Sequence, residues 1–133
     1  PLTTEKRKEK EKMSLIDILL SNDIPEAEVK EFKIKRLSKA WNTEVKIRLK
    51  GLGYNKAGEI MKSTGEDVNV HIIIAGDEEK VFKNKELMEK YNAVTPAELV
   101  KKILTPGEIA KLSDAVLALS EYNTDTVEEV KKN

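Results

Sequence analysis

The chain has no cysteine and a single histidine, His71. Without thiolates, a disulfide framework and a cysteine-based zinc site are both excluded, and one imidazole is too few for a histidine metal centre. The lack of cysteine is compatible with a reducing cytosol. Aromatic residues make up only 5%, so the core has to be largely aliphatic. Neither sign of charge prevails, with 24 Lys and Arg against 24 Asp and Glu. That balance removes the bulk attraction on which most nucleic-acid binding rests, so nucleic acid is not an expected partner. No apolar run approaches the ~20 residues of a membrane span. Leu15–Leu20 is broken by Asp17, and Ile72–Ala75 is far too short. The charged beginning is not followed by a long apolar stretch, so no secretory signal is read there.

What is present is charge, at 36% of 133 residues, and a set of helix and strand signals. A chain of this length can bury about two-thirds of its unfolded surface in one modest core. Residues 1–13, which include the run TTEKRKEKEK, carry alternating charges and little apolar anchor. They are expected to form a charged flexible tail. Residues 14–133 are expected to form a single α+β domain, with a sheet part over about 29–76 and a helical part over about 84–122.

Ser14 is a helix cap for a segment through Asn22, with Leu15, Ile18 and Leu19 on one face and Ile16 and Leu20 widening it. Period two follows. Phe32 and Ile34 alternate with Lys33 and Lys35, and Val45, Ile47 and Leu49 alternate with Lys46, Arg48 and Lys50. These read as two strands of a hairpin joined through Ser38–Thr43. A short helix is expected around Lys56–Ser63, with Ala57, Ile60 and Met61 inward. Val68–Ala75, VNVHIIIA, reads as a third and central strand.

Beyond Asn84 the signals are helical. Asn84 caps a helix carrying Leu87, Met88 and Tyr91, which Asn92 ends. Thr95-Pro96-Ala97-Glu98 and Thr105-Pro106-Gly107-Glu108 each combine an N-cap threonine, an early proline and a glutamate at the third helical position. Two starts so close require a short helix, a bend and then a longer helix to about Tyr122. Leu99, Val100, Ile103 and Leu104 form the apolar seam of the first. Ile109, Leu112, Val116 and Leu119, spaced three, four and three apart, form that of the second. The fold class is therefore α+β: a small, mainly antiparallel sheet with packed helices, followed by a C-terminal all-helical block.

Catalytic chemistry finds no support. Gly53 and Gly58 have the outer spacing of a phosphate-binding loop, but Glu59 stands where that loop needs a cation. No serine has a nucleophile-elbow context, and no carboxylate pair is set apart in an apolar environment. No catalytic residue, cofactor or metal is assigned. Two features can carry binding: the basic strand face (Lys33, Lys35, Arg36, Lys46, Arg48, Lys50) and the two helical seams. RNA gripped on a sheet also needs stacking aromatics, and here only Trp41 and Tyr54 are near.

The order of motifs from Phe82 to Tyr122 resembles the XkdN-like tail assembly chaperones of phages and prophages of Gram-positive bacteria. The resemblance rests on Lys83-Asn84-Lys85-Glu86-Leu87, Lys90-Tyr91-Asn92, Thr95-Pro96-Ala97-Glu98-Leu99, Thr105-Pro106-Gly107-Glu108-Ile109 and Leu119-Ser120. Weaker likeness extends upstream through Ile34-Lys35-Arg36-Leu37, the strand pair and His71–Gly76. The sequence departs from the family pattern at two turns. Asp77-Glu78-Glu79 replace apolar residues and a proline, and Glu121 stands where glycine is common. The resemblance implies a cytoplasmic protein of the bacterial host, not an enzyme, that binds and solubilises the tape-measure protein and assists tail-tube assembly. The tail-tube protein is a second implied partner, and self-association is compatible with coating a long filament. Partner contact is expected through Leu99, Ile103, Leu104, Ile109, Leu112, Val116 and Leu119. An RNA-binding module on the basic strand face and a structural subunit of the tail are the alternatives.

Overall fold

The structure, a computed structural model, describes residues 14–63, 65–122 and 125–131. The charged segment 1–13 lies outside the described residues. Where sequence signals are local, the chain follows them. Helix α1 (Leu15–Ser21) starts at Ser14, whose Oγ accepts from the Asp17 N–H at 3.2 Å. Strands β1 (Val29–Lys33) and β2 (Lys46–Lys50) pair antiparallel, with Phe32 opposite Ile47 and Lys33 opposite Lys46. Residues facing each other across the pair share a side of the sheet. One side thus carries Phe32, Ile47 and Leu49 toward the core, and the other Glu31, Lys33, Lys46, Arg48 and Lys50.

The connection between the strands is a helix, α2 (Lys35–Trp41), rather than a turn. Ile34, Leu37 and Trp41 recur at spacings of three and four, the helical face that the alternation of Phe32 and Ile34 obscured. Asn42, in the left-handed region at φ 48°, stops the helix. Buried Ser38 then ties the loop back, donating to the Ile34 carbonyl at 2.8 Å and accepting from the Val45 N–H at 2.9 Å. Lys35 and Arg36 therefore leave the basic strand face.

Helix α3 (Tyr54–Ser63) buries Ala57 and Ile60, but Met61 points outward and is 55% exposed, against expectation. The largest departure is Val68–Gly76, which is helix α4 and not a strand. Its apolar residues occupy every side, so no period distinguishes strand from helix. A helix apolar all round belongs in an interior. Here α4 lies against α3, α6 and α7, with Val70, Ile72 and Ile73 buried. Among the described residues the sheet consequently has two strands, extended by a single antiparallel bridge between Leu49 and Asp77.

A 3-10 turn (Val81–Lys83) leads into α5 (Lys85–Lys90), α6 (Pro96–Ile103) and α7 (Pro106–Leu119). Asn84 caps α5 through the Leu87 N–H at 3.0 Å. Thr105 and Glu108 make the reciprocal capping box at the start of α7, at 3.2 and 2.9 Å. At α6 the threonine bond forms, while the Glu98 carboxylate accepts instead from the Val94 N–H, one residue earlier, at 2.6 Å. Two further helices end in left-handed residues. Asn92 at φ 55° closes α5, with the Ala93 N–H donating back to the Met88 carbonyl at 2.8 Å. Glu121 at φ 63° closes α7, with the Tyr122 N–H donating to the Leu117 carbonyl at 3.2 Å. This is the C-terminal motif that favours glycine, the residue from which Glu121 departs.

One cluster of buried side chains runs from Ile34 to Leu119 and joins the ribbon to the helical block. Two glycines permit its closest approaches. Gly51 lies against the Leu119 carbonyl, and Gly76 against both methyls of Val116.

Candidate functional site

The helical seams are where the sequence placed partner contact. In the folded chain Leu99, Leu104, Leu112, Val116 and Leu119 are buried in the core, Leu99 and Val116 completely. Ile103 and Ile109 are half-buried. Ile109 borders a shallow depression with Asp67, Lys101, Leu104 and Pro106. Ile103 and Leu104 also line an apolar groove of about 200 Å³ that opens between α2, β2, the 3-10 turn, α5 and the end of α6.

The floor of this groove is Ile34, Leu37, Ile47, Phe82 and Leu104, all buried. Its rim is Trp41, Val81, Leu87, Tyr91 and Ile103, with Lys46 the one charged residue. Trp41 is 54% exposed, an unusual position for the chain's single tryptophan. The volume falls below the ~300–1,000 Å³ of small-molecule pockets. An apolar cavity of ~150 Å³ accepts a benzene-sized group. The groove is thus sized for one or two apolar side chains.

Polar clamps hold its walls. The Arg36 guanidinium, on the back of α2, donates to both carboxylate oxygens of Glu108 at 3.0 and 2.9 Å and to the Ile103 carbonyl at 2.8 Å. It pins α2 to the bend between α6 and α7. This bidentate geometry suits arginine and would be lost with lysine. The guanidinium, and the N–H of Thr105 after it, hold the Glu108 carboxyl below the usual carboxylate range. Lys102 Nζ donates to the Tyr91 and Asn92 carbonyls at 2.9 and 2.7 Å and so fixes the turn from α5 to α6. Asp77 Oδ2 accepts from the Phe82 N–H at 2.9 Å and anchors the 3-10 turn. Asp77 is buried and its Oδ1 has no hydrogen-bond partner, so burial raises its pKa.

The basic strand face is reduced. Arg36 is committed to Glu108, and Lys46 lies 3.7 Å from Glu31 on the adjacent strand. Trp41 lines the groove and Tyr54, 92% exposed, begins α3, so neither aromatic belongs to the strands. His71 lies on α4, beside Lys56 and Glu59 of α3. No cluster of metal-ligating side chains occurs among the described residues. Among them, too, no helix is long and apolar enough to cross a membrane.

A second apolar surface is α1 itself. None of its residues is buried, and Leu15, Ile16, Leu19 and Leu20 are all more than half exposed. Apart from Asp17 and Ser21 the helix has no polar side. Sequence reasoning identified its apolar face without saying what covers it. It missed the groove because floor and rim come from five separate elements, although the Ile34, Leu37, Trp41 spacing was a legible part of it.

The chain is thus an α+β scaffold with a braced apolar groove and an unpacked apolar helix. Residues 2–132 match the family of phage XkdN-like tail assembly chaperone proteins. The chain belongs to that family, and its general role is therefore tail assembly chaperoning. Its fold is similar to that in the crystal structure of the protein yqbn, with a TM-score of 0.65, 22% identity, and coverage of 84% of this chain and 98% of that one. At that identity the likeness concerns the fold alone. No curated protein matches the chain.

Proposed function

We propose that this chaperone binds and solubilises the tape-measure protein by seating apolar side chains of its helical segments in the groove rimmed by Trp41. It would act in the host cytoplasm, with the tail-tube protein as a second partner recruited to the complex. The supporting observation is the groove: preformed, apolar on its floor and exposed at one large aromatic. An amphipathic helix laid into such a groove is recognised through anchors at i, i+3 and i+4. Aromatic residues in this setting carry a large share of binding energy. One leucine transferred from water to the floor contributes ~1.5–3 kcal/mol. The work is binding, so no catalytic group is needed.

Co-expression with the tape-measure protein provides the test. That protein should remain in the soluble fraction with the parent chain and precipitate with a Trp41→Asp variant whose circular dichroism is unchanged. If it is no more soluble with the parent chain than without it, the reading fails. If Trp41→Asp protects as well as the parent, the groove is not the site.

A further inference from the structure

Helix α4 is apolar on every side, and only Asn69 and His71 interrupt it before Gly76. A polar group on an interior helix needs a partner or a way to solvent. Asn69 has a partner, since its Oδ1 accepts from the Ser113 hydroxyl at 3.1 Å. The ring of half-buried His71 makes no hydrogen bond or ion pair among the described residues. It opens instead on a pocket of about 330 Å³ between α3, α4 and the 3-10 turn.

Helical spacing builds this pocket. Lys56 and Ile60, four residues apart, share one face of α3, and His71, Ile74 and Ala75 share one face of α4. Lys83 reaches it from the turn. Ile60, Ile74 and Ala75 form an apolar wall, and Lys56, His71 and Lys83 set nitrogens around it. Ser63 adds no donor, because its hydroxyl donates to the Glu59 carbonyl at 2.7 Å. Glu59 is the pocket's one carboxylate; it is 70% exposed and stands 3.6 Å from Lys56. Lys83 has no ion pair among the described residues. Two ammonium groups against one carboxylate leave one positive charge uncompensated.

We infer that this pocket binds a carboxylate carried on a short aliphatic chain. Ammonium groups and an imidazole N–H donate, and a carboxylate only accepts. Its single charge matches the surplus, whereas a phosphate, at about −1.5 to −2, would exceed it and meet Glu59. The wall of Ile60, Ile74 and Ala75 takes the methylenes. The volume falls at the lower end of the ~300–1,000 Å³ range of small-ligand sites. A free short-chain acid offers this chemistry, and so does a glutamate side chain of a partner protein. The site rests on α3, α4 and Lys83 and is independent of the Trp41 groove.

His71 is the chain's one histidine, so in the untagged protein its ring signals report on the pocket by NMR without ambiguity. Hexanoate should move them saturably. Butanoate should bind about tenfold more weakly, since each buried CH₂ is worth about fourfold. Hexylamine, with the tail but the wrong charge, and inorganic phosphate, without the tail, should have far smaller effects. Lys83→Glu and Lys56→Glu, both at exposed positions, should each bind hexanoate at least about fivefold more weakly. Trp41→Asp should bind it as the parent does, which separates this site from client binding. An end-capped helical peptide with one glutamate, compared with its glutamine counterpart, identifies the source. Glutamate-dependent binding tighter than that of hexanoate assigns the carboxylate to a partner protein, and weaker or no peptide binding assigns it to a free acid. No saturable shift with any carboxylate would overturn the inference. So would hexylamine or phosphate acting as strongly as hexanoate, or both lysine variants binding like the parent.

Discussion

Replacing Gly76 with alanine puts a methyl group where α4 meets α7. The new Cβ would lie 2.6 and 2.8 Å from the two methyls of Val116 and 3.1 Å from the Lys50 carbonyl oxygen. Val116 is fully buried, and its branched side chain has one strongly preferred rotamer in a helix, so it cannot turn away. Either α7 shifts or the methyls stay compressed, and overpacking of this kind costs ~1–3 kcal/mol. Alanine recovers ~0.5–1 kcal/mol of helix propensity at the same position. The net expectation is a loss of about 1–2 kcal/mol, read as a lower urea midpoint at unchanged slope. Val116→Ala alone should cost about 2 kcal/mol through lost burial and a small cavity. In the double variant the alanine methyl occupies part of that cavity, so the two losses should fall short of additivity by about 1 kcal/mol. A Gly76→Ala chain as stable as the parent, or strict additivity in the double variant, would refute the close packing of α4 on α7.

Acid titration of stability should show two opposed contributions. Glu108, whose folded pKa is depressed by Arg36, adds stability above the ordinary glutamate pKa of ~4.3 that disappears as pH falls through its folded value. Glu108→Gln should therefore flatten the acid limb of the urea-midpoint profile. Asp77, whose folded pKa is raised by burial, does the reverse. Its ionised form weakens the fold at neutral pH, and stability is regained as pH falls toward the ordinary aspartate pKa of ~3.9. Asp77→Asn should remove that rise. Glu121→Gly relieves a non-glycine residue in the left-handed region, worth ~1–2 kcal/mol, against ~0.4–1 kcal/mol of added unfolded-state freedom. A gain of up to about 1.5 kcal/mol is expected, and a net loss would contradict the α7 terminus described above. Ile16→Asp in α1 should leave the urea midpoint within ~0.5 kcal/mol of the parent, since none of α1 is buried; a large loss would place α1 in the core.

Ser14, Asn84, Thr95 and Thr105 were legible as helix starts because a cap is a contact within three residues and needs no tertiary partner. Asn92 was legible as a stop for a similar reason, since asparagine tolerates left-handed backbone. The Ile47 and Leu49 alternation located β2 because one side of that ribbon faces the core and the other water. Those local rules also carried the motif order on which the family resemblance rests. Val68–Gly76 was not legible. Its apolar residues point every way, and only the surrounding α3, α6 and α7 make a helix of it. Nor could Leu112, Val116 and Leu119 reveal their fate, because periodicity defines an apolar face without saying what covers it. Here α4 covers it, and the surface proposed for the client is instead a groove that also draws on α2, β2 and the 3-10 turn. The sequence by itself determined where most helices begin and which sides are apolar, through short-range hydrogen bonds and spacing. Only the tertiary structure decided which apolar sides are spent on the core and which, at Trp41 and along α1, face solvent, because burial depends on segments distant in the chain.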